Sequence, residues 1–306
     1  MENTTCPMCR RSDADLVFVG RDYLHGVAGE FPVMRCQKCG VVYVNPRPSR
    51  SEIGQYYPPE YTPHDWAVRS NRHWWSRLDY RYGLDKRCRT VMRYRRSGRL
   101  LDVGCATGEF LARARELGWE VYGTELSVRA AAYARKQWGL EVFVGEIEAV
   151  PFPDGFFDAI TLWNVFEHLF DPSASLAKMS SLLAAGGVLV MTVPNLDSLD
   201  LKLFAQTWIG YEVPRHFHLF PLAALDEFVR RYGFKVVDVR CLYGSYHAFF
   251  ASLQFYFRER GNVRALRWAQ RLARSRLLRV LSVPYFFVLD RFQAGTVLTV
   301  TCQKQS

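Results

Sequence analysis

Four cysteines open the chain at spacings that favour metal chemistry: Cys6-Pro7-Met8-Cys9 and Cys36-Gln37-Lys38-Cys39 are both Cys-x-x-Cys pairs. Each pair sets two thiolates on one tight turn, and two such turns complete a tetrahedral site with no open position. The chemistry expected of Cys6, Cys9, Cys36 and Cys39 is therefore structural. Bound zinc would hold together a module too small to be stabilised by burial alone. A thioredoxin-like redox role needs a pair beside a βαβ unit, and neither pair has one.

A second constellation begins at Leu100-Leu101-Asp102-Val103-Gly104-Cys105-Ala106-Thr107-Gly108, a strand-like run entering two glycines four residues apart, with a helix following. Glycines let backbone turn tightly and approach a ligand closely. Alone, Gly104 and Gly108 fit either a dinucleotide or S-adenosylmethionine (SAM). Asp102 separates the two, because a carboxylate there repels a pyrophosphate but suits the cationic amino group of a methionine moiety. Glu125, at the end of the next strand-like run, is placed to accept hydrogen bonds from both ribose hydroxyls. Glu146 could reach the adenine amino group, with Leu126 and Ile147 on either side of the ring.

A third group lies in Tyr211-Glu212-Val213-Pro214-Arg215-His216-Phe217-His218. A sulfonium donor is already activated, so a hydroxyl or carbon acid acceptor needs mainly alignment and a base. If this segment is extended, His216 and His218 turn to one face. His216 is the first candidate base, with His168 second and Tyr211 a further candidate. The plain alternative is that these histidines only hydrogen-bond the segment in place. Arg215 could hold a phosphate or carboxylate of the substrate, or simply form an ion pair.

The elements that must position these groups follow from patterning. Residues 1–48 carry the cysteine pairs and short strand-like runs, ending at Asn45-Pro46-Arg47-Pro48. Residues 49–98 form an aromatic, proline-rich link (Tyr56-Tyr57-Pro58-Pro59-Glu60-Tyr61) and an Arg-rich helix from about Ser76. From residue 99, strand-like and helix-period runs alternate: Leu100 to Val103, Phe110 to Leu117, Val121 to Thr124, Ala130 to Trp138, and on to Val236 to Val239. That alternation predicts an α/β, doubly wound, mostly parallel sheet. Residues 194–221 after the fifth strand read as a substrate lid. Residues 245–293 read as a helical, aromatic insertion before a last strand, Thr296 to Thr301.

In this order the motifs resemble those of class I SAM-dependent methyltransferases. They are Leu-Asp-Val-Gly-Cys-Ala-Thr-Gly, Gly123-Thr124-Glu125, Gly145-Glu146-Ile147-Glu148 with Pro151-Phe152-Pro153-Asp154, Asn164-Val165-Phe166-Glu167-His168, and Ala185-Gly186-Gly187. The resemblance implies a Rossmann-like, seven-stranded sheet with an antiparallel last strand. It also implies that SAM binds at the carboxyl ends of the first strands, touched by Asp102, Gly104, Cys105, Gly108, Glu125, Leu126, Glu146, Ile147 and Asn164. Some ubiquinone-type and small-RNA methyltransferases bind a divalent metal through Glu-x-x-Glu-His in the loop after strand four. Here Asn164 replaces the first glutamate, which argues against metal-assisted transfer. The cysteine-bearing N-terminus and the Pro-Arg-His segment look similar to zinc-headed methyltransferases that modify sugars and natural products.

The resulting expectation is methyl transfer to a small-molecule acceptor, a sugar or lipid-linked glycan precursor. An RNA acceptor is disfavoured because Trp163-Asn164-Val165-Phe166 stands where an Asn-Pro-Pro-aromatic motif would be needed. The zinc module also carries few clustered cations. A non-catalytic SAM-binding protein is the third reading, and an NAD oxidoreductase a remote one. The net charge of +10 favours anionic contacts. Without a signal-like start or an apolar run of spanning length, the expected location is cytoplasmic. Arg260, Arg264, Arg267, Arg271 and Arg274 form a basic stripe opposite Leu266, Ala273, Leu277 and Val280. That stripe suggests peripheral contact of 245–293 with the inner membrane surface; the alternative is a solvated face over core aromatics.

Overall fold

The structure, a computed structural model, describes residues 1–57, 74–242 and 245–305. Pro58, Pro59, Glu60 and Tyr61 of the aromatic link lie outside the described residues. Two sheets organise the chain. The larger has seven strands: β4 (Gly98–Val103), β5 (Trp119–Glu125), β6 (Glu141–Val144), β7 (Phe157–Leu162), β8 (Leu183–Pro194), β10 (Phe234–Arg240) and β11 (Val297–Lys304). Its order is β10-β11-β8-β7-β4-β5-β6. β11 runs antiparallel to both neighbours, while β4 through β8 pair in parallel. The expected Rossmann-like sheet with its antiparallel last strand is the one observed, and β11 runs three residues past the expected Thr301.

Alternation along the strands explains the layers. Leu100, Ala159, Val188 and Val190 pack into one cluster with α1 (Trp74–Met92), α2 (Glu109–Glu116) and α3 (Val128–Trp138). Leu101, Ile160, Leu189 and Met191 point the other way, against α4 (Pro172–Leu182) and α6 (Leu222–Arg230). Successive side chains of a strand face opposite sides, so strands covered on both sides read as unbroken apolar runs. Local signals set the helix ends: Ser127 and Asp171 accept backbone N–H groups at the starts of α3 and α4, and Gly139 closes α3 with φ +61°.

The smaller sheet, order β1-β2-β3-β9, comprises β1 (Ala14–Gly20), β2 (Phe31–Cys36), β3 (Val42–Val44) and β9 (His218–Leu219). Its fourth strand comes from residues 194–221, far along the chain. Cys6, Cys36, Val41 and Tyr43 pack into the same core as Leu225 and Phe228. On its other side Phe31, Val42 and Val44 pack with Phe204, Trp208 and Val213. The cysteine-bearing segment is thus a layer between the large sheet and residues 194–221, the cap, which includes α5 (Leu199–Phe204).

Four helices separate β10 from β11: α7 (Ser245–Glu259), α8 (Val263–Arg274), α9 (Arg276–Leu281) and α10 (Val283–Arg291). The continuous basic stripe expected from Arg260 is interrupted. Arg260 lies in the turn after α7, its guanidinium 3.6 Å from the centroid of Tyr256. Ser275 starts a new helix by accepting the Leu278 N–H, so Leu277 and Val280 are not opposite Arg264 on one helix. No described helix is long and apolar enough to cross a membrane.

Candidate active site

Strand order reverses at β4, with β5 and β6 on one side and β7 and β8 on the other. In open α/β sheets that switch point leaves a crevice beyond the carboxyl ends of the strands. The loop from Gly104 to Gly108 lies there. Gly104 (φ +69°), Ala106 (φ +49°) and Gly108 (φ +84°) all take left-handed backbone conformations. A Cβ on Gly104 would come within 2.7 Å of a Val165 methyl, so the position needs glycine twice over. Cys105 is buried with its sulfur over Gly123, where a Cβ would stand 2.6 Å from it.

Glu125 fixes this loop. One carboxylate oxygen accepts the Ala106 N–H at 2.8 Å and the other accepts the Ser127 N–H at 2.8 Å. Each oxygen keeps a further acceptor position. Asp102 is buried and accepts the Thr161 hydroxyl at 2.6 Å. Burial pushes its carboxyl up to about 7, which a cation beside it would reverse. A buried acid facing a glycine loop is a donor set suited to an ammonium group, and the residues fit SAM on this ground.

The other expected cofactor contacts are placed less simply. Glu146 is ion-paired with Arg50 rather than free to meet an adenine. Leu126 is open to solvent, whereas Ile147 is enclosed in the core. Asn164, at φ +58°, is exposed, and its side-chain oxygen accepts the Thr192 hydroxyl at 3.0 Å.

The cap brings the expected histidines to the loop after β7, though not by the route expected. Residues 213–215 form a turn in which Glu212 O accepts the N–H groups of Arg215 and His216. Only His218 and Leu219 are extended, so strand alternation does not govern His216. Phe217 N–H donates to Glu167 O, and His218 Nε2 to Phe166 O at 2.9 Å, zipping the cap to the 3₁₀ turn Phe166–His168. The rings of His168 and His216 then meet edge to face, 4.6 Å apart.

Both rings are oriented by backbone. His216 Nδ1 lies 2.8 Å from Gly210 O, and His168 Nδ1 lies 2.9 Å from Arg215 O and 3.0 Å from the Tyr57 hydroxyl. With each Nδ1 donating to a carbonyl, each Nε2 is left as the lone-pair nitrogen. Burial, reinforced by Arg215, brings His216 down to about 4, and burial with His216 brings His168 down to about 3. Both are neutral at pH 7. His216 Nε2 is 3.9 Å from Glu167 and 3.8 Å from Glu212. Burial pushes the Glu167 carboxyl up to about 8, and its Oε2 has no hydrogen-bond partner among the described residues. Ligand atoms of Glu167, His168 and His216 lie within 4.8 Å of one another, a set able to hold a divalent cation. Asn164 takes no part in it.

Tyr57 joins the two halves. Its hydroxyl lies 3.0 Å from His168 Nδ1, and burial, with the carboxylates of Glu212, Glu167 and Glu125, raises its pKa. Tyr211 is elsewhere, packed at 4.7 Å on Phe18 and 5.3 Å on Trp208. Arg215 is no substrate clamp: it is fully buried, with Nη2 donating to Asp22 at 2.8 Å, Nη1 to Tyr56 O at 3.0 Å and Nε to Glu212 at 2.9 Å. Glu167, Glu212 and Tyr57 are site residues that motif reading missed. The adjacency of Glu167 to His168 was the one local sign of them.

The four paired cysteines also converge. Cys6 and Cys39 sulfurs are 3.4 Å apart, Cys9 and Cys36 3.4 Å, and Cys9 and Cys39 3.8 Å. Tetrahedral thiolates about 2.3 Å from zinc stand roughly 3.8 Å from one another, so the geometry fits the metal.

A family model described as a methyltransferase domain matches residues 74–239. Demethylmenaquinone methyltransferase of Thermus thermophilus is 37% identical over 100 residues, 30% of this chain and 46% of that protein. Malonyl-acyl-carrier-protein O-methyltransferase of Serratia marcescens is 30% identical over 140 residues, 45% of this chain and 54% of that protein. The chain spans about half the length of these curated relatives. Among solved structures, the (4+2) cyclase SpnF superposes with a TM-score of 0.53 at 18% identity, covering 85% of this chain and 97% of that one, a likeness of fold alone. With the strand order, the left-handed glycine loop and a matching domain over more than half its length, this chain belongs to the class I SAM-dependent methyltransferases.

Proposed function

We propose that the chain transfers a methyl group from SAM to a sugar or related glycan precursor, with His216 taking the acceptor's proton. The observation that carries this reading is the buried, neutral His216 imidazole, held at Nδ1 by Gly210 O with Nε2 free to accept. Bound SAM supplies a methyl group already activated as a sulfonium. Asp102 would hold the donor's amino group and Glu125 its ribose hydroxyls, with Gly104, Cys105 and Gly108 forming the floor. Leu126 and Asn164, both exposed, would border the adenosine end, while Glu146 is held by Arg50 and Ile147 lies in the core. Cys6, Cys9, Cys36 and Cys39 would hold a structural zinc. Relatives named for quinone and acyl-carrier-protein methylation support a small-molecule acceptor. The zinc-headed organisation is what favours a sugar among them.

Screening nucleotide-linked sugars and RNA with SAM, read by mass spectrometry, identifies the acceptor. On that acceptor His216→Ala is expected to lower kcat by about 10²–10³ while leaving S-adenosylhomocysteine affinity unchanged. An unchanged kcat would remove His216 from the chemistry.

Asp102 makes the donor site sensitive to pH. Its carboxyl must be ionised to pair with the ligand's amino group, and burial holds it near 7 when alone. Below that pH binding must displace a proton, so S-adenosylhomocysteine Kd should rise by up to about tenfold per unit of acidification and level off above pH 8. Calorimetric titration from pH 6 to 8 checks this, with Asp102→Asn expected to flatten the profile. A flat profile in the unaltered protein would refute the assignment.

The orphaned Glu167 Oε2 favours a second reading, in which Glu167, His168 and His216 hold a divalent cation that polarises the acceptor oxygen. Manganese-stimulated turnover by zinc-loaded protein, lost in Glu167→Gln, would establish it. Turnover indifferent to added metal and to chelator would leave proton abstraction by His216.

A further inference from the structure

The helices between β10 and β11 expose what a soluble core would hide. Trp268 is 55% exposed on α8, Leu277 and Val280 are 70% and 67% exposed on α9, and Phe287 and Phe292 are 67% and 77% exposed on and just after α10. These positions recur at helical spacing. Leu277, Val280 and Leu281 stand at i, i+3 and i+4 on one face of α9, and Val283 and Phe287 at i and i+4 on α10. These large apolar side chains face outward.

Charge accompanies them. From residue 261 to 293 there are seven arginines and one carboxylate, Asp290, which accepts the Ser245 hydroxyl. Trp268 is flanked one turn away by Arg264 and Arg271, both exposed. Opposed copies of such a surface would repel, which disfavours self-association. Nucleic acid would match the arginines but leave Leu277, Val280, Phe287 and Phe292 in water. An anionic lipid surface satisfies both, because apolar side chains enter the headgroup boundary while arginines meet phosphate.

We propose that α8, α9 and α10 form a docking face for an anionic lipid bilayer, which presents the cap and its imidazoles to acceptors at the membrane. This rests on the glycan-acceptor reading for its purpose only, since lipid binding and methyl transfer are measured separately. The face lies in the segment beyond the cap: α7, which carries these helices, is tied to the cap where Ser252 Oγ accepts the Ile209 N–H at 3.0 Å.

The test is co-sedimentation of the full chain with phosphatidylcholine vesicles, with and without phosphatidylglycerol. Binding is expected only with phosphatidylglycerol and should weaken as salt rises. Arg264→Glu/Arg267→Glu/Arg271→Glu should reduce partitioning at least about a hundredfold. Phe287→Ser/Phe292→Ser should reduce it at unchanged charge, which separates insertion from simple attraction. Retained S-adenosylhomocysteine binding in each variant shows that the fold survives. Absence of binding at low salt, insensitivity to both variants, or a dimer in solution that shields Phe287 would overturn the proposal. None of these results would touch the methyl-transfer reading, which fails instead if no acceptor is methylated.

Discussion

Arg215→Met is expected to destabilise the protein by about 3–5 kcal/mol and to abolish turnover. Arg215 and Asp22 are both fully buried, and the guanidinium grips both carboxylate oxygens, at 2.8 and 3.2 Å. Burial works against the Asp22 carboxylate, but Arg215 and the amides of residues 25 and 27 outweigh it and hold its pKa below the usual range. Removing the arginine leaves that charge in the interior without its partner, which costs more than the pair itself contributes. The same residue's carbonyl orients His168, so loss of position at 215 disturbs both imidazoles. Urea unfolding measures the stability change. Arg215→Met/Asp22→Leu should recover much of the stability and little of the rate. A single variant within 1 kcal/mol of the parent would mean that the pair is not structurally required.

The second large effect concerns the four cysteines. Cys36→Ser/Cys39→Ser, or stripping the metal with a chelator, should leave the seven-stranded sheet folded and lower methyl transfer at least about a hundredfold. Cys6 and Cys36 share a core with Val41, Tyr43 and Phe220, and β3 carries β9 as its neighbour. Once the turns that bear the cysteines loosen, β9 loses its template. With β9 goes the backbone that sets His216 against His168. A displacement of about 1 Å at a reacting centre is enough for a loss of that size. Metal content, protease sensitivity of residues 1–57 and rate are measured together. Full activity in protein shown to be free of metal would contradict the idea.

Much of the fold was legible because the relevant forces are local or periodic. Buried parallel strands must be apolar throughout, so Leu100 to Val103 and Val188 to Val193 announced themselves. Asp102 and Glu125 stood out because each lies at the carboxyl end of a strand, at the sheet's carboxyl edge. The two Cys-x-x-Cys turns needed no tertiary information, and their sulfurs do converge. What escaped was long-range partnership. Nothing near Arg215 in the sequence reveals that Asp22, 193 residues earlier, will neutralise it. An isolated arginine beside a histidine looks like a substrate clamp until that partner is known. Extended chain from Tyr211 to His218 would turn His216 and His218 to one face, yet the carbonyl of Glu212 captures two following amides and makes a turn. The arginine stripe up to Arg274 and the apolar positions up to Val280 read as one helix, and only the role of Ser275 as a helix start shows the break. Sequence alone placed Leu277 and Val280 opposite the arginines without saying whether anything covers them, and exposure depends on what the rest of the fold leaves to cover them.

The pairing of β3 with β9 also bears on how the protein is made. Residues 14–44 leave the ribosome well before the strand that completes their sheet, His218–Leu219. Throughout synthesis of the intervening sheet, the outer edge of β3 offers the unpaired backbone groups of Val42 and Val44, both buried in the finished protein. An open apolar strand edge pairs readily with other chains. Nascent copies crowded on one message are therefore exposed to mispairing at this edge until residue 219 arrives, and slow elongation lengthens that interval.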